Sequence, residues 1–119
     1  MNKDTPQGRG KEAEQQACKF LQKQGLRLLE QNYSCRLGEL DLIMQESSTL
    51  VFVEVKYRHS TQYGQASETV DLRKQRKIIL TAQYFLHQHP HYSELACRFD
   101  VLSFNGAGQP IEWLPNAFY

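Results

Sequence analysis

Four charged residues in an apolar neighbourhood, Glu39, Asp41, Glu54 and Lys56, raise the first chemical question. They sit in GELDLIMQESSTLVFVEVKYR, residues 38–58, which reads as two strands around a polar turn. Paired carboxylates can share a proton or hold a divalent cation, and all-oxygen ligation selects a hard ion, Mg²⁺ or Mn²⁺. An amine beside such a pair can orient or help deprotonate a water, or stabilise negative charge building on phosphorus. Two acids with a lysine two residues beyond the second describe metal-assisted hydrolysis of a phosphodiester.

Strand periodicity decides whether these groups can meet. Residues i and i+2 share a face, so Glu39, Asp41 and Ile43 lie together, as do Phe52, Glu54 and Lys56. An even loop centred on Ser47 and Ser48 sets Asp41 opposite Glu54 and Glu39 opposite Lys56. Directly opposed Cβ atoms lie roughly 4.5–5.5 Å apart. Two carboxylates at that distance repel by roughly 3 kcal/mol at an effective dielectric near 20, and by under about 1 kcal/mol in bulk water. A fully solvated strand face could therefore carry them, with Lys56 relieving Glu39. Ile43 and Phe52 on the same face argue instead for partial burial, where the pair wants a shared proton or a cation.

The remaining chain supplies a scaffold. Residues 1–9 read as a loose tail. Ala13, Ala17, Phe20 and Leu21 recur at helical spacing over residues 11–24, with Gly25 as the stop. Strands are expected at 26–32, 38–45 and 50–57, and a polar loop at 58–67. A long helix follows, capped by Thr69 or Asp71, with Leu72, Ile79, Ala82, Phe85 and Leu86 as its apolar stripe and an end before Pro90. Strands at 96–104 and 111–114 complete the order α-β-β-β-α-β-β, an α/β fold with helices packed on a mixed sheet.

Composition permits this chemistry without demanding it. The 119 residues suit one domain, with 40% hydrophobic and 23% charged residues. Net charge is only +1, so any nucleic-acid contact must come from local knots of charge. Two exist: Lys56 with Arg58, and the run holding Arg73, Lys74, Arg76 and Lys77. No apolar run approaches the roughly 20 residues of a membrane span, and the N-terminus has no secretory apolar core. Three widely spaced cysteines without a CxxC pair argue against a disulfide framework or zinc site and fit a reducing cytoplasm.

These motifs resemble known sequences. Asp41 followed by Glu54-Val55-Lys56 resembles the D-(x)n-(D/E)xK signature of restriction-endonuclease-like nucleases. Nearly the whole chain is similar to the YraN family of small bacterial predicted endonucleases, through Gly10, Glu14 and Ala17, GELDLI, VFVEVKYR, Gly64, Lys74 and RFDV at 98–101. The resemblance implies a fold like that of archaeal Holliday-junction resolvases, a central mixed sheet flanked by helices. It implies that Asp41 and Glu54 bind metal, that Glu14 and the Val55 carbonyl supplement them, and that Lys56 is catalytic. Leu40 departs from the proline often found before that aspartate.

Other candidates have ordinary readings beside functional ones. Glu14 on its own reads as a solvent-facing helix residue; only the resemblance raises it. The Arg73–Lys77 run can be the wet face of a helix, or Arg73, Lys74 and Lys77 can join Arg58 on phosphates. His87, His89 and His91 suit a helix end better than a metal. Tyr33, Tyr57 and Trp113 can stack on bases but fit packing roles, and Arg98 with Asp100 reads as a structural ion pair. The expectation is a cytoplasmic, Mg²⁺- or Mn²⁺-dependent endonuclease acting on branched or structured DNA, with a homodimer if paired cuts are made. The alternatives are a non-catalytic nucleic-acid-binding protein on the same fold and a metal-free acid/base hydrolase, which leaves Lys56 without a role.

Overall fold

The computed structural model describes residues 6–57, 70–104 and 110–118. Its elements follow the order α1 (Pro6–Lys23), β1 (Arg27–Cys35), β2 (Gly38–Glu46), β3 (Thr49–Tyr57), α2 (Leu72–Gln88), β4 (Ala96–Phe104) and β5 (Pro110–Phe118). The five strands form one sheet in sequence order; β3 and β4 are parallel and the other neighbours antiparallel. The parallel step needs a crossover, which α2 provides. The α/β order expected from the sequence is the order observed.

The helices cover opposite faces. Ala13, Ala17, Cys18 and Leu21 of α1 pack with Leu42, Met44, Val51, Val53, Leu102 and Phe104. Ile78, Ala82 and Phe85 of α2 pack with Ile43, Phe52, Phe99 and Val101. β3 is buried on both faces, which explains its unbroken LVFV run. Its apolar residues alternate between the two cores, so the next residue on the α2 side is Glu54, at 8% exposure.

Several boundaries differ from expectation. α1 begins at Pro6, inside the expected tail, and proline is well suited to a first helical turn. Leu72 is 67% exposed rather than part of the α2 stripe, whose buried positions are Ile78, Thr81, Ala82 and Phe85. β5 runs to Phe118, past Pro115, which as an edge-strand residue needs no ladder partner for its nitrogen. Asp71 rather than Thr69 caps α2, its carboxylate accepting from the Lys74 N–H at 2.8 Å. Gly25 stops α1 with φ +100. Gly38 has φ +156, and a Cβ there would stand 2.8 Å from Thr81 Oγ1, so glycine lets β2 enter beneath α2.

A buried ionic knot ties the sheet together. Asp100, fully buried, accepts from Arg98 Nε at 3.0 Å, Trp113 Nε1 at 3.0 Å and the Asn116 N–H at 2.9 Å. Arg98 also reaches Glu46 at 2.7 Å. The RFDV ion pair is structural, as the sequence indicated, and Trp113 packs edge-on against Phe20. Tyr33 likewise packs on Phe85 and donates to Gln88. His89 stacks on Phe85 with Nδ1 against the Phe85 carbonyl, a helix-end role.

Candidate functional site

The hairpin register is the one read from the sequence: Leu42 pairs with Val53, Ile43 with Phe52, Met44 with Val51 and Glu46 with Thr49, around a Ser47–Ser48 turn. Regular pairing stops at Leu42–Val53. Two residues further along β3, the Val55 N–H donates at 2.8 Å to Asp41 Oδ2 instead of to a β2 carbonyl. A strand residue directs its N–H and C=O to the same edge, so the Val55 carbonyl also faces the Asp41 side. The two strands splay here and the carboxylate fills the opening.

The cause is a broken pleat. Leu42 and Met44 belong to the α1-side core, yet Leu40 belongs with Ile43 to the α2-side core, contrary to strict alternation. Across from Asp41, Asn32 of β1 has φ +54 between the Gln31–Leu42 and Tyr33–Leu40 pairs; the β1–β2 register is the same on both sides of it and shifts earlier, between Leu28 and Glu30. A left-handed non-glycine residue costs of order 1 kcal/mol and asparagine tolerates it best. The Asn32 side chain lies within hydrogen-bonding reach of Glu14 on α1, which places Asn32 at the edge of the same cluster. Sequence reasoning missed Asn32, although asparagine inside a strand pattern is a recognisable signal.

Three acids from three elements come within electrostatic reach of one another. Glu14 comes from α1 and lies close to Asp41, Asp41 from β2, and Glu54 from β3. Burial and then the charge of Glu54 push Asp41 up to about 8, against the pull of the Val55 N–H. Burial also raises Glu14, with Glu39 and Glu54 adding repulsion and Asn32 and Asp41 offsetting it by hydrogen bonds. Two amines balance them in part: Lys74 Nζ stands 3.0 Å and Lys56 Nζ 3.9 Å from Glu54 Oε1. Burial and then the hydrogen bond from Lys74 lower Lys56. Lys74 is lowered by burial but raised more by Lys56 and Glu54.

Most of the expected residues meet here: Asp41, Glu54, Val55, Lys56 and Glu14. Two details differ. Lys56 pairs with Glu54, not Glu39, because the ladder ends before the Glu39–Lys56 position and Glu39 is left exposed. Lys74 is a half-buried partner of Glu54, whereas Arg73 and Lys77 lie exposed on α2. Arg58 and Gly64 fall outside the described residues. Fully buried Ser103, in register with Lys56, has an Oγ without a hydrogen-bond partner among the described residues. A cavity of about 180 Å³ lined by Lys11, Glu14, Gln15, Gln31 and Asn32 adjoins the acids on the α1 side.

With every group ionised, three carboxyls against two amines would leave one negative charge unbalanced; the raised Asp41 relieves it by keeping its proton, and the oxygen-only donors suit a hard cation in kind. Among the described residues no three His, Cys, Asp or Glu side chains already converge as a metal cage. Glu54 is engaged by Lys74 and Asp41 by Val55, so ligation would draw on groups that now hold each other.

A mixed five-stranded sheet between two helices, with an acid–amine cluster where β2 and β3 splay, defines the class of protein. The chain belongs to the UPF0102 family, described as an uncharacterised protein family, which matches residues 13–104. A UPF0102 protein of Pseudomonas fluorescens (strain Pf0-1) is 50% identical, covering 92% of this chain and 91% of its own. One from Stutzerimonas stutzeri (strain A1501) is 50% identical over 94% and 95%, and one from Pseudomonas putida (strain GB-1) 47% over 96% and 95%. Among the described residues no helix is long and apolar enough to cross a membrane.

Proposed function

We propose that this chain is a divalent-cation-dependent endonuclease that hydrolyses phosphodiesters of DNA in the cytoplasm. The observation that carries the reading is Asp41, a half-buried carboxyl between Glu14 and Glu54 with Lys56 alongside. A patch of acids this crowded is costly unless a proton or cation relieves it. Asp41, Glu54, Glu14 and the Val55 carbonyl would hold Mg²⁺ or Mn²⁺. When bound, such an ion supplies Lewis-acid stabilisation of charge on phosphoryl oxygens.

The residues divide the remaining work. Lys56, with its lowered proton affinity beside Lys74, is suited to taking a proton from an attacking water or to meeting charge on the phosphorus centre. Arg73 and Lys77, exposed on α2, extend positive charge along a duplex or branched backbone. Paired cuts at a junction require two copies of the site, hence a symmetric dimer.

The test is a cleavage panel of branched, duplex and single-stranded DNA with Mn²⁺, with Lys56→Ala as control. Cleavage by the parent and not by the variant supports the reading. Asp41-dependent cation binding without cleavage of any substrate returns the chain to a non-catalytic nucleic-acid-binding role.

A further inference from the structure

We infer that Lys74 is the exchangeable counter-ion of Glu54: it occupies the carboxylate when no cation is bound, is displaced when one binds, and so sets the cation affinity of the site. This rests on the proposed cation site. The geometry separates the two amines. Lys74 Nζ takes Glu54 Oε1 at 3.0 Å, while Lys56 stands off at 3.9 Å. The Lys74 side chain is 44% exposed and that of Glu54 only 9%, so the amine has a route into water and the carboxylate does not. The Lys74 backbone is fixed by its N–H donated to Asp71 at the cap of α2, which leaves side-chain rotation as the movement available.

An ammonium at 3.0 Å and a divalent cation on the same little-exposed carboxylate repel each other and draw on the same single negative charge, so the two compete. The released ammonium swings outward beside exposed Arg73 and Lys77, the face proposed to meet phosphates. A lysine that would be one more fixed phosphate contact on the wet helix face thus acquires a conditional role.

The experiment is calorimetric titration of Mg²⁺ into the parent, Lys74→Met, Lys74→Arg, Arg73→Met and Asp41→Asn proteins, with nitrogen-detected spectra of the lysine ammonium groups. Removing a half-buried competing ion pair should tighten Mg²⁺ binding about fivefold in Lys74→Met. Arginine in its place should keep the parent affinity, and Arg73→Met should change it by less than about twofold. The Lys74 ammonium signal, protected by Glu54, should be lost as Mg²⁺ is added. Parent-level or weaker binding by Lys74→Met, or a Lys74 signal indifferent to bound Mg²⁺, overturns this role and leaves the cation site standing. Absence of Asp41-dependent Mg²⁺ binding in the parent removes the site and this role with it.

Discussion

The Val55 backbone N–H donates to the Asp41 carboxylate at 2.8 Å, in the place where a β2 carbonyl would otherwise accept. A side chain has replaced main chain as the partner of β3, and that substitution brings a carboxyl into the plane of the sheet. The broken alternation between Leu40 and Leu42 on β2 is the local distortion that accompanies it, with left-handed Asn32 on the neighbouring strand. Glu14 and Glu54 can then approach the same carboxyl from the two helical layers.

The raised Asp41 carboxyl makes stability depend on pH. In the fold it holds its proton up to about 8, whereas in the unfolded chain it releases it near 3.8. Between these values the native state binds more protons, so this group's contribution to stability is full below about pH 4 and lost as pH rises towards 8. Asp41→Asn cannot titrate and can still accept from Val55. Urea midpoints in chelator should therefore fall from pH 5 to pH 8 in the parent and much less in the variant. Equal slopes for the two proteins would place the proton elsewhere.

Binding and catalysis should separate at neighbouring positions on β3. Glu54→Gln removes a ligand charge and should weaken Mn²⁺ binding and abolish cleavage. Lys56→Ala removes positive charge near the ion, so Mn²⁺ should bind as well or slightly better while cleavage falls. Without cation, DNA binding should tighten in Glu54→Gln and loosen in Lys56→Ala. Parent-rate cleavage by Lys56→Ala would assign the activity to a contaminant or another site.

Phosphate contacts by α2 should fall to its exposed residues. Replacing Arg73 and Lys77 with alanine should reduce the salt slope of duplex binding by about one to two units. Filter binding or fluorescence anisotropy across a salt series reads this directly. A slope identical to the parent's would make both residues ordinary solvated charges.

Much of the site was legible because β geometry is short-range. Alternation and an even turn bring Asp41 to Glu54, and the pairs from Leu42–Val53 to Glu46–Thr49 follow that register. What escaped depends on three-dimensional packing. Lys74 meets Glu54 because the α2 cap comes down over the end of β3, a placement no periodicity encodes. Periodicity also extends the ladder to Glu39 and Lys56, since it cannot foresee that main-chain pairing ends at Leu42–Val53 and that the Asp41 carboxylate takes over as the partner of Val55. Leu72 looked like core by type, but it sits in the first turn of α2, where the sheet no longer covers it.

The fold itself should fail first at Asp100. This carboxylate joins Arg98 on its own strand to Trp113 and Asn116 on β5, and Arg98 carries the link on to Glu46 on β2. Asp100→Ala leaves the half-buried Arg98 without its principal partner and strips acceptors from the Trp113 and Asn116 N–H groups. Removing one side of a buried pair costs about 3–5 kcal/mol. Glu46→Ala, at the more exposed end of the same network, should cost only about 1 kcal/mol or less. Chemical denaturation of both variants reads the contrast, and hydrogen exchange should show β5 amides losing protection first in Asp100→Ala. Equal losses at the two positions would mean that the network acts through Arg98 and Glu46 at the surface rather than through the buried carboxylate.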